Sequence, residues 1–118
     1  MNKVIISGDR NWDDDELRTK MRNVLRKVDN GTEIIHGGCK GVDKVAGEIA
    51  KELSISCVVF SADWNKYGKA AGPVRNKQML DYGAGIVIAF HKNISESKGT
   101  KDMMKQAEKR GIKVFLIS

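Results

Sequence analysis

The residues best suited to ligand chemistry lie in a glycine-rich segment between a strand pattern and a helix pattern. Residues 33–36 predict a short strand, residues 42–53 carry apolar side chains at helical spacing, and Gly37, Gly38 and Gly41 lie between them. Glycines at such a junction let main-chain N–H groups approach a ligand, and the start of the helix favours an anion. The segment therefore predicts a phosphate-binding turn. The alternative is a purely structural turn, because the spacing matches neither the P-loop nor GxGxxG.

Other chemically useful residues share a position just beyond the end of a predicted strand. They are Ser7, Gly8, Asp9 and Arg10 after residues 3–6, Asp63 and Trp64 after residues 56–60, and Gly99 and Thr100 downstream of residues 86–90. In open parallel sheets, ligands bind beyond the carboxyl ends of the strands, near the point where the strand order switches. We therefore expect these residues to face one site.

The side chains in these positions suggest particular contacts to a nucleotide. Arg10 and Arg75 can each give a forked, charge-assisted contact to phosphate. Trp12 or Trp64 can stack on a base, with packing over the rim of the sheet as the alternative. Asp43 can accept hydrogen bonds from ribose hydroxyls or brace the first turn of its own helix.

The order of the patterns predicts the fold class. Five strand patterns alternate with four helix patterns, as in an α/β protein with a doubly wound parallel sheet and three layers. The length fits a single domain over residues 1–118. The first helix is expected to begin at Asp13 or Asp14 and to end at residues 30–31, and residues 61–69 are expected to form a loop.

Composition narrows the classes of protein and partner. Hydrophobic residues make up 41% and charged residues 31%, with a formal net charge of +6 and a sequence pI of about 9.4. This excess suits an anionic partner, either a nucleotide or a nucleic acid, or simply solvated helix faces. No transmembrane helix and no signal peptide are expected, and Cys39 and Cys57 have no metal-ligand spacing. We expect a cytoplasmic protein.

Several motifs together resemble the YspA-related branch of the SLOG superfamily, and they cover nearly the whole chain in order. They are Ser7-Gly8-x-Arg10-x-Trp12, His36-Gly-Gly-x-x-Gly-x-Asp43, Ala62-Asp-Trp64, Tyr67-Gly-Lys-x-Ala-Gly-Pro-x-Arg-Asn76 and Gly99-Thr-x-Asp-Met103. That superfamily also includes the Lonely Guy phosphoribohydrolases and the DNA-processing protein DprA. The resemblance implies a Rossmann-like parallel sheet, a nucleotide-derived ligand of ADP-ribose or NAD type, and a homo-oligomer.

The resemblance also implies roles for residues in the second half of the chain. Arg75 matches the arginine of the Arg-x-x-x-Met helix in the Lonely Guy enzymes, and Asn76 beside it is expected to contact the ligand. The Gly99 segment resembles their phosphate loop without its Pro-Gly-Gly. The position of their catalytic glutamate falls on Met103, with Asp102 one residue earlier, which is ~100° away around a helix.

Three functions remain open from the sequence. The first is a protein that senses or sequesters a nucleotide signal. The second is a hydrolase of N-glycosidic bonds, in which Arg75 would hold phosphate and Asp102 or Asp63 would stabilise the developing cationic sugar. The third is binding of single-stranded DNA in the manner of DprA. No resident cofactor and no metal ion are expected for any of the three.

Overall fold

A computed structural model describes residues 2–118 and shows a five-stranded sheet in which every neighbouring pair of strands is parallel. The sheet order is β3-β2-β1-β4-β5. This order confirms the doubly wound α/β architecture. The strands are β1 (Lys3–Gly8), β2 (Glu33–His36), β3 (Ser56–Val59), β4 (Ile86–Phe90) and β5 (Lys113–Ile117).

Helices cover both faces of the sheet. They are α1 (Asp15–Leu25), α2 (Val42–Glu52), α3 (Trp64–Tyr67), α4 (Ala71–Asp81) and α5 (Gly99–Lys109), with short 3-10 turns at Gly68–Ala70 and Ile94–Glu96. The first two helices pack together on one face, and α4 and α5 pack together on the other. The result is the expected three-layer arrangement. Among residues 2–118, no helix has the length and hydrophobicity needed to cross a membrane.

The alternation of side chains along β1 divides the core in two. Val4 and Ile6 face the cluster under α1 and α2, whereas Ile5 faces the cluster under α4 and α5. The adjacent strand β4 behaves in the same way, with Val87 and Ile88 on opposite sides. A strand that is buried on both faces needs apolar residues at successive positions, which explains the near-continuous apolar runs in the sequence.

The first helix is shorter than its apolar pattern suggested, and the expectation that it reaches residues 30–31 is wrong. It ends at Leu25. The backbone N–H groups of Lys27 and Val28 then donate to carbonyl oxygens three residues earlier, so tighter turns replace the last part of the expected helix.

The segment expected to be a loop, residues 61–69, is also more ordered than the sequence indicated. Asp63 accepts a hydrogen bond from the backbone N–H of Lys66 at 3.0 Å and caps the four-residue helix α3, which leads into a 3-10 turn. An aspartate at this position stabilises the first turn by satisfying one of its free N–H groups. Its capping role explains why a polar, aromatic segment folds into a helix.

The switch in strand order lies at β1, which has β2 on one side and β4 on the other. Gly8, the last residue of this strand, is closely packed against neighbouring atoms. A β-carbon there would clash with the carbonyl oxygen of Phe90 and would lie 2.6 Å from Cγ1 of Val42. The absence of a side chain therefore lets β1, β4 and the start of α2 meet at the edge where ligands bind in such folds.

We predict that Gly8→Ala lowers the free energy of unfolding by about 1–3 kcal/mol, because the backbone oxygen of Phe90 cannot move aside for a methyl group. Gly85→Ala is the matched control, since a β-carbon at Gly85 meets nothing within 4 Å. Urea unfolding of both variants tests this. Equal stabilities for the two variants would contradict the tight contact at Gly8.

Candidate functional site

A cleft of about 410 Å³ lies at the carboxyl ends of the strands, beside the switch in strand order. It brings together many of the residues that the sequence singled out. Those that line it are Ser7, Gly8, Arg10, Asp43, Trp64, Arg75, Gly99 and Thr100. Its lining combines apolar surface with a few convergent polar groups, as is usual for small-molecule sites. The described residues contain no cluster of three or more His, Cys, Asp or Glu side chains that could hold a metal ion.

The guanidinium of Arg75 is held rigidly in the wall of this cleft. Arg75 is only 9% exposed to solvent. Its Nη1 donates to the carbonyl oxygen of Gly37 at 2.8 Å, and its Nε donates to Oδ1 of Asn76 at 3.0 Å. Its Nη2 makes no hydrogen bond within residues 2–118. Arg75 thus presents donors in a fixed orientation, as a forked contact to phosphate requires.

Asn76 connects Arg75 to the start of α5. Its Nδ2 donates to the carbonyl oxygen of Gly99 at 3.2 Å and to Oδ2 of Asp102 at 3.0 Å. The same carboxylate oxygen of Asp102 accepts from Gln106 at 2.7 Å. Asn76 and Asp102 therefore brace the cleft from behind, and neither side chain lines it.

The backbone N–H groups of the glycine-rich turn bind the carboxylate of Asp43, a side chain of the protein itself. Oδ2 of Asp43 accepts from the backbone N–H groups of Gly37 at 3.1 Å and Cys39 at 3.3 Å. The N–H of Gly38 donates to Nδ1 of His36 at 3.0 Å. The N–H groups of Gly37 and Gly38, which were expected to bind phosphate, are thus paired within the turn. Asp43 braces the turn that precedes its helix, not the first turn of the helix itself.

Two glycines of this turn are required by close packing. A β-carbon at Gly37 would collide with the guanidinium of Arg75, and one at Gly41 would collide with the backbone of Asp9 and Arg10. Gly41 also has a φ of 76°, which disfavours other residues. Both glycines let neighbouring segments approach the cleft, while Gly37, Gly38 and Gly41 themselves lie outside its lining.

Burial changes the ionisation of two side chains beside the cleft. Burial raises the pKa of Asp43 to about 6, although the N–H groups of Cys39 and Gly37 and the charge of Arg75 oppose this shift. Burial, together with the nearby Arg75, lowers the pKa of His36. Asp43 therefore titrates well above the range of an ordinary aspartate.

Two further expected site residues, Trp12 and Asp63, lie outside the cleft, whereas Trp64 lines it. Trp12 is 4% exposed and packs in the core, with its indole Nε1 donating to Asp14 at 3.0 Å, so it cannot stack on a base in this arrangement. Trp64, at 57% exposed, lines the cleft and can. Asp63 lines a separate pocket of about 210 Å³, which shares Arg75 with the main cleft.

Three polar residues of the cleft were given no specific role by the sequence interpretation, although Asp9 lies in a strand-end segment that it singled out. Asp9 and His91 follow directly after β1 and β4, and Ser97 accepts from the N–H of Thr100 at 3.1 Å and so caps α5. The rule that drew attention to the other strand ends applies equally to His91. The cap at Ser97 depends on side-chain geometry that a sequence pattern does not carry.

Comparison with known proteins identifies the family. The model of the YspA, cpYpsA-related SLOG family matches residues 2–67. The chain is also 32% identical over 121 residues to the Gene 61 protein of Mycobacterium phage D29, a match that covers 98% of this chain and 95% of that protein. The chain belongs to this SLOG family. The family that the sequence motifs predicted is thereby confirmed.

Solved structures agree on the fold of this SLOG chain. The whole chain superposes on DNA processing protein A (DprA) from Streptococcus pneumoniae with a TM-score of 0.80 and 19% identity, and it spans 50% of that protein's chain. Its likeness to the structural genomics target TM1055 has a TM-score of 0.69 and 18% identity, over 97% of this chain and 72% of the other. Both comparisons support the Rossmann-like sheet.

We predict a characteristic pH dependence from Asp43. Because its pKa is raised on folding, from 3.8 to about 6, the folded protein holds this proton more tightly than the unfolded chain does. The stability of the wild type relative to Asp43→Asn should therefore fall as the pH rises from about 4 to 6.5. Urea unfolding at several pH values measures this difference.

Asp15→Asn provides the control for the loss of one carboxylate, because Asp15 is an exposed residue in the first turn of α1. That variant should not reproduce the trend. A wild type that gains stability relative to Asp43→Asn over the same pH interval would show that hydrogen bonding outweighs burial at this carboxyl.

Proposed function

We propose that this protein binds a phosphate-bearing, nucleotide-derived small molecule in the cleft and acts as a sensor or sequestering protein, or as a nucleotide-processing enzyme. The family resemblance suggests a ligand of ADP-ribose or NAD type. The observation that carries the proposal is the buried, oriented guanidinium of Arg75 in the cleft wall.

A buried guanidinium with no carboxylate at salt-bridge distance favours an anionic ligand, even though Asp43 lies near enough for the two charges to interact. No Asp or Glu oxygen within residues 2–118 lies within salt-bridge distance of Arg75, whose recorded partners are a carbonyl oxygen, an amide oxygen and the sulfur of Cys39 at 3.9 Å. A cation removed from water gains most from a charged partner, so a phosphate at Nη2 would offset the cost of burial. Arg10, which is exposed in the same cleft, offers a second guanidinium.

The alternative of an N-glycosidic hydrolase has less support from the geometry. Met103, at the position of the catalytic glutamate in the Lonely Guy enzymes, is fully buried in the core. Asp102 is engaged by Asn76 and Gln106 behind the cleft, and Asp63 faces the neighbouring pocket. The two acids proposed for stabilising a cationic sugar therefore do not line the main cleft.

Binding of single-stranded DNA is the second candidate. The net charge of +6 and the fold shared with DprA favour it. Nonspecific binding of a strand uses several aromatic side chains along a basic groove. Trp64 is the aromatic residue that lines this cleft, which suits one base better than a strand.

We predict that Arg75→Met weakens binding of ADP by at least tenfold, because a charged hydrogen bond contributes about 1.5–3 kcal/mol. Arg75→Lys, which keeps the charge but loses the fork, should recover only part of the affinity. Isothermal titration calorimetry on folded proteins measures both effects. Arg26→Met is the matched control, since Arg26 is exposed and follows α1, away from the cleft.

Unfolding curves recorded beside the titrations separate loss of the site from loss of the fold. A folded Arg75→Met protein that binds ADP as tightly as the wild type would remove Arg75 from the site. Absence of ADP binding by the wild type would count against the nucleotide proposal itself.

We further predict slow or undetectable release of the base from nucleoside monophosphates and NAD, even when they bind. The reason is that Met103 can neither activate water nor stabilise positive charge. Chromatography of free adenine and nicotinamide after prolonged incubation measures turnover. Rapid release that is abolished in Asp102→Asn or Asp63→Asn would favour the hydrolase.

A further inference from the structure

A carboxylate and an imidazole meet at the switch in strand order. Gly8 and Phe90 are paired across β1 and β4, and the next residue on each strand is Asp9 or His91. The backbone N–H of Asp9 donates to the carbonyl oxygen of Phe90 at 3.0 Å, which holds the two strand ends together. Both side chains line the cleft.

Local hydrogen bonds determine which atoms of this pair remain available. The backbone N–H of Asn93 donates to Nδ1 of His91 at 3.0 Å, so the neutral imidazole carries its proton on Nε2. Oδ1 of Asp9 accepts from the N–H of Asn11 at 2.8 Å, which leaves Oδ2 as the remaining acceptor. His91 therefore offers a donor and Asp9 offers an acceptor.

These two atoms are separated by a distance that suits a bridging group. Nε2 of His91 lies 3.9 Å from Oδ2 of Asp9, which is too far for a direct hydrogen bond. A hydroxyl placed between them can donate to the carboxylate and accept from the imidazole. A phosphate oxygen cannot do both, because it has no proton to donate and carries the same sign of charge as Asp9.

We infer that the Asp9–His91 pair binds a ribose hydroxyl of the ligand whose phosphate Arg75 binds, and this inference rests on the proposed function. Adjacent parallel strands are about 4.8 Å apart, so the ends of β2 and β4 lie about 10 Å apart across β1. Arg75 contacts the end of β2, and His91 follows β4. The phosphate contact and the sugar contact thus lie at opposite ends of the cleft. The Asp9–His91 pair selects ribonucleotides over analogues without ribose hydroxyls.

The test compares ADP with dideoxy-ADP, which has the same phosphates and base but lacks both ribose hydroxyls. For the wild type we expect calorimetry to show at least tenfold tighter binding of ADP, because a site built for a hydroxyl rejects the analogue without it. In Asp9→Asn and His91→Asn this preference should fall below about threefold. Both substitutions retain an oxygen that can accept the local backbone hydrogen bond.

Two controls keep the result interpretable. Asp13→Asn removes an exposed carboxylate from the same loop, and it should keep the wild-type preference. Affinity for dideoxy-ADP should be similar in all of these proteins, which shows that the phosphate contact and the fold are intact.

The outcomes separate this inference from the proposed function. Equal binding of the two nucleotides by the wild type would overturn the hydroxyl contact and leave the phosphate contact in place. A full preference in both pair variants would assign selectivity to other residues. If the wild type binds neither nucleotide, the proposed function and the inference both fail.

Discussion

The buried guanidinium of Arg75 is the contact on which the arrangement of the cleft depends. It ties α4 to the glycine turn after β2 through the carbonyl of Gly37, and through Asn76 it is linked to the first residue of α5. Three segments far apart in sequence are thereby held at one edge of the sheet. The glycine at position 37 is what allows this approach, because a methyl group there would occupy the space of the guanidinium.

In the same turn, the carboxylate of Asp43 occupies the place where the sequence suggested a bound phosphate. The carboxylate of Asp43 accepts hydrogen bonds from two backbone N–H groups, so these donors are satisfied without a bound phosphate. Its burial has an energetic cost, which appears as a raised pKa. We infer that the turn positions Arg75 and that the arginine, more than the backbone, provides the contact to an anionic ligand.

The sequence predicted the sheet and its order of elements well, because strands buried on both faces produce apolar runs such as residues 86–90. It also identified the cleft edge, since polar residues follow the strands. It could not distinguish which of them line the cleft. Trp12 and Trp64 occupy similar loops, yet one is buried and the other exposed, and only the packing of side chains decides this. The pairing of Asp9 with His91 likewise required the strand register.

Binding of a phosphate-bearing nucleotide at Arg75 can be tested by mass spectrometry of the small molecules that the purified protein releases on denaturation. Wild-type protein and Arg75→Lys should be prepared in parallel, because the variant keeps the charge but loses the forked geometry. We expect the wild type to release a molecule containing ribose and phosphate, and the variant to release much less of it. Release of the same molecule in equal amount from both proteins, or release of only oligonucleotide from the wild type, would contradict this expectation.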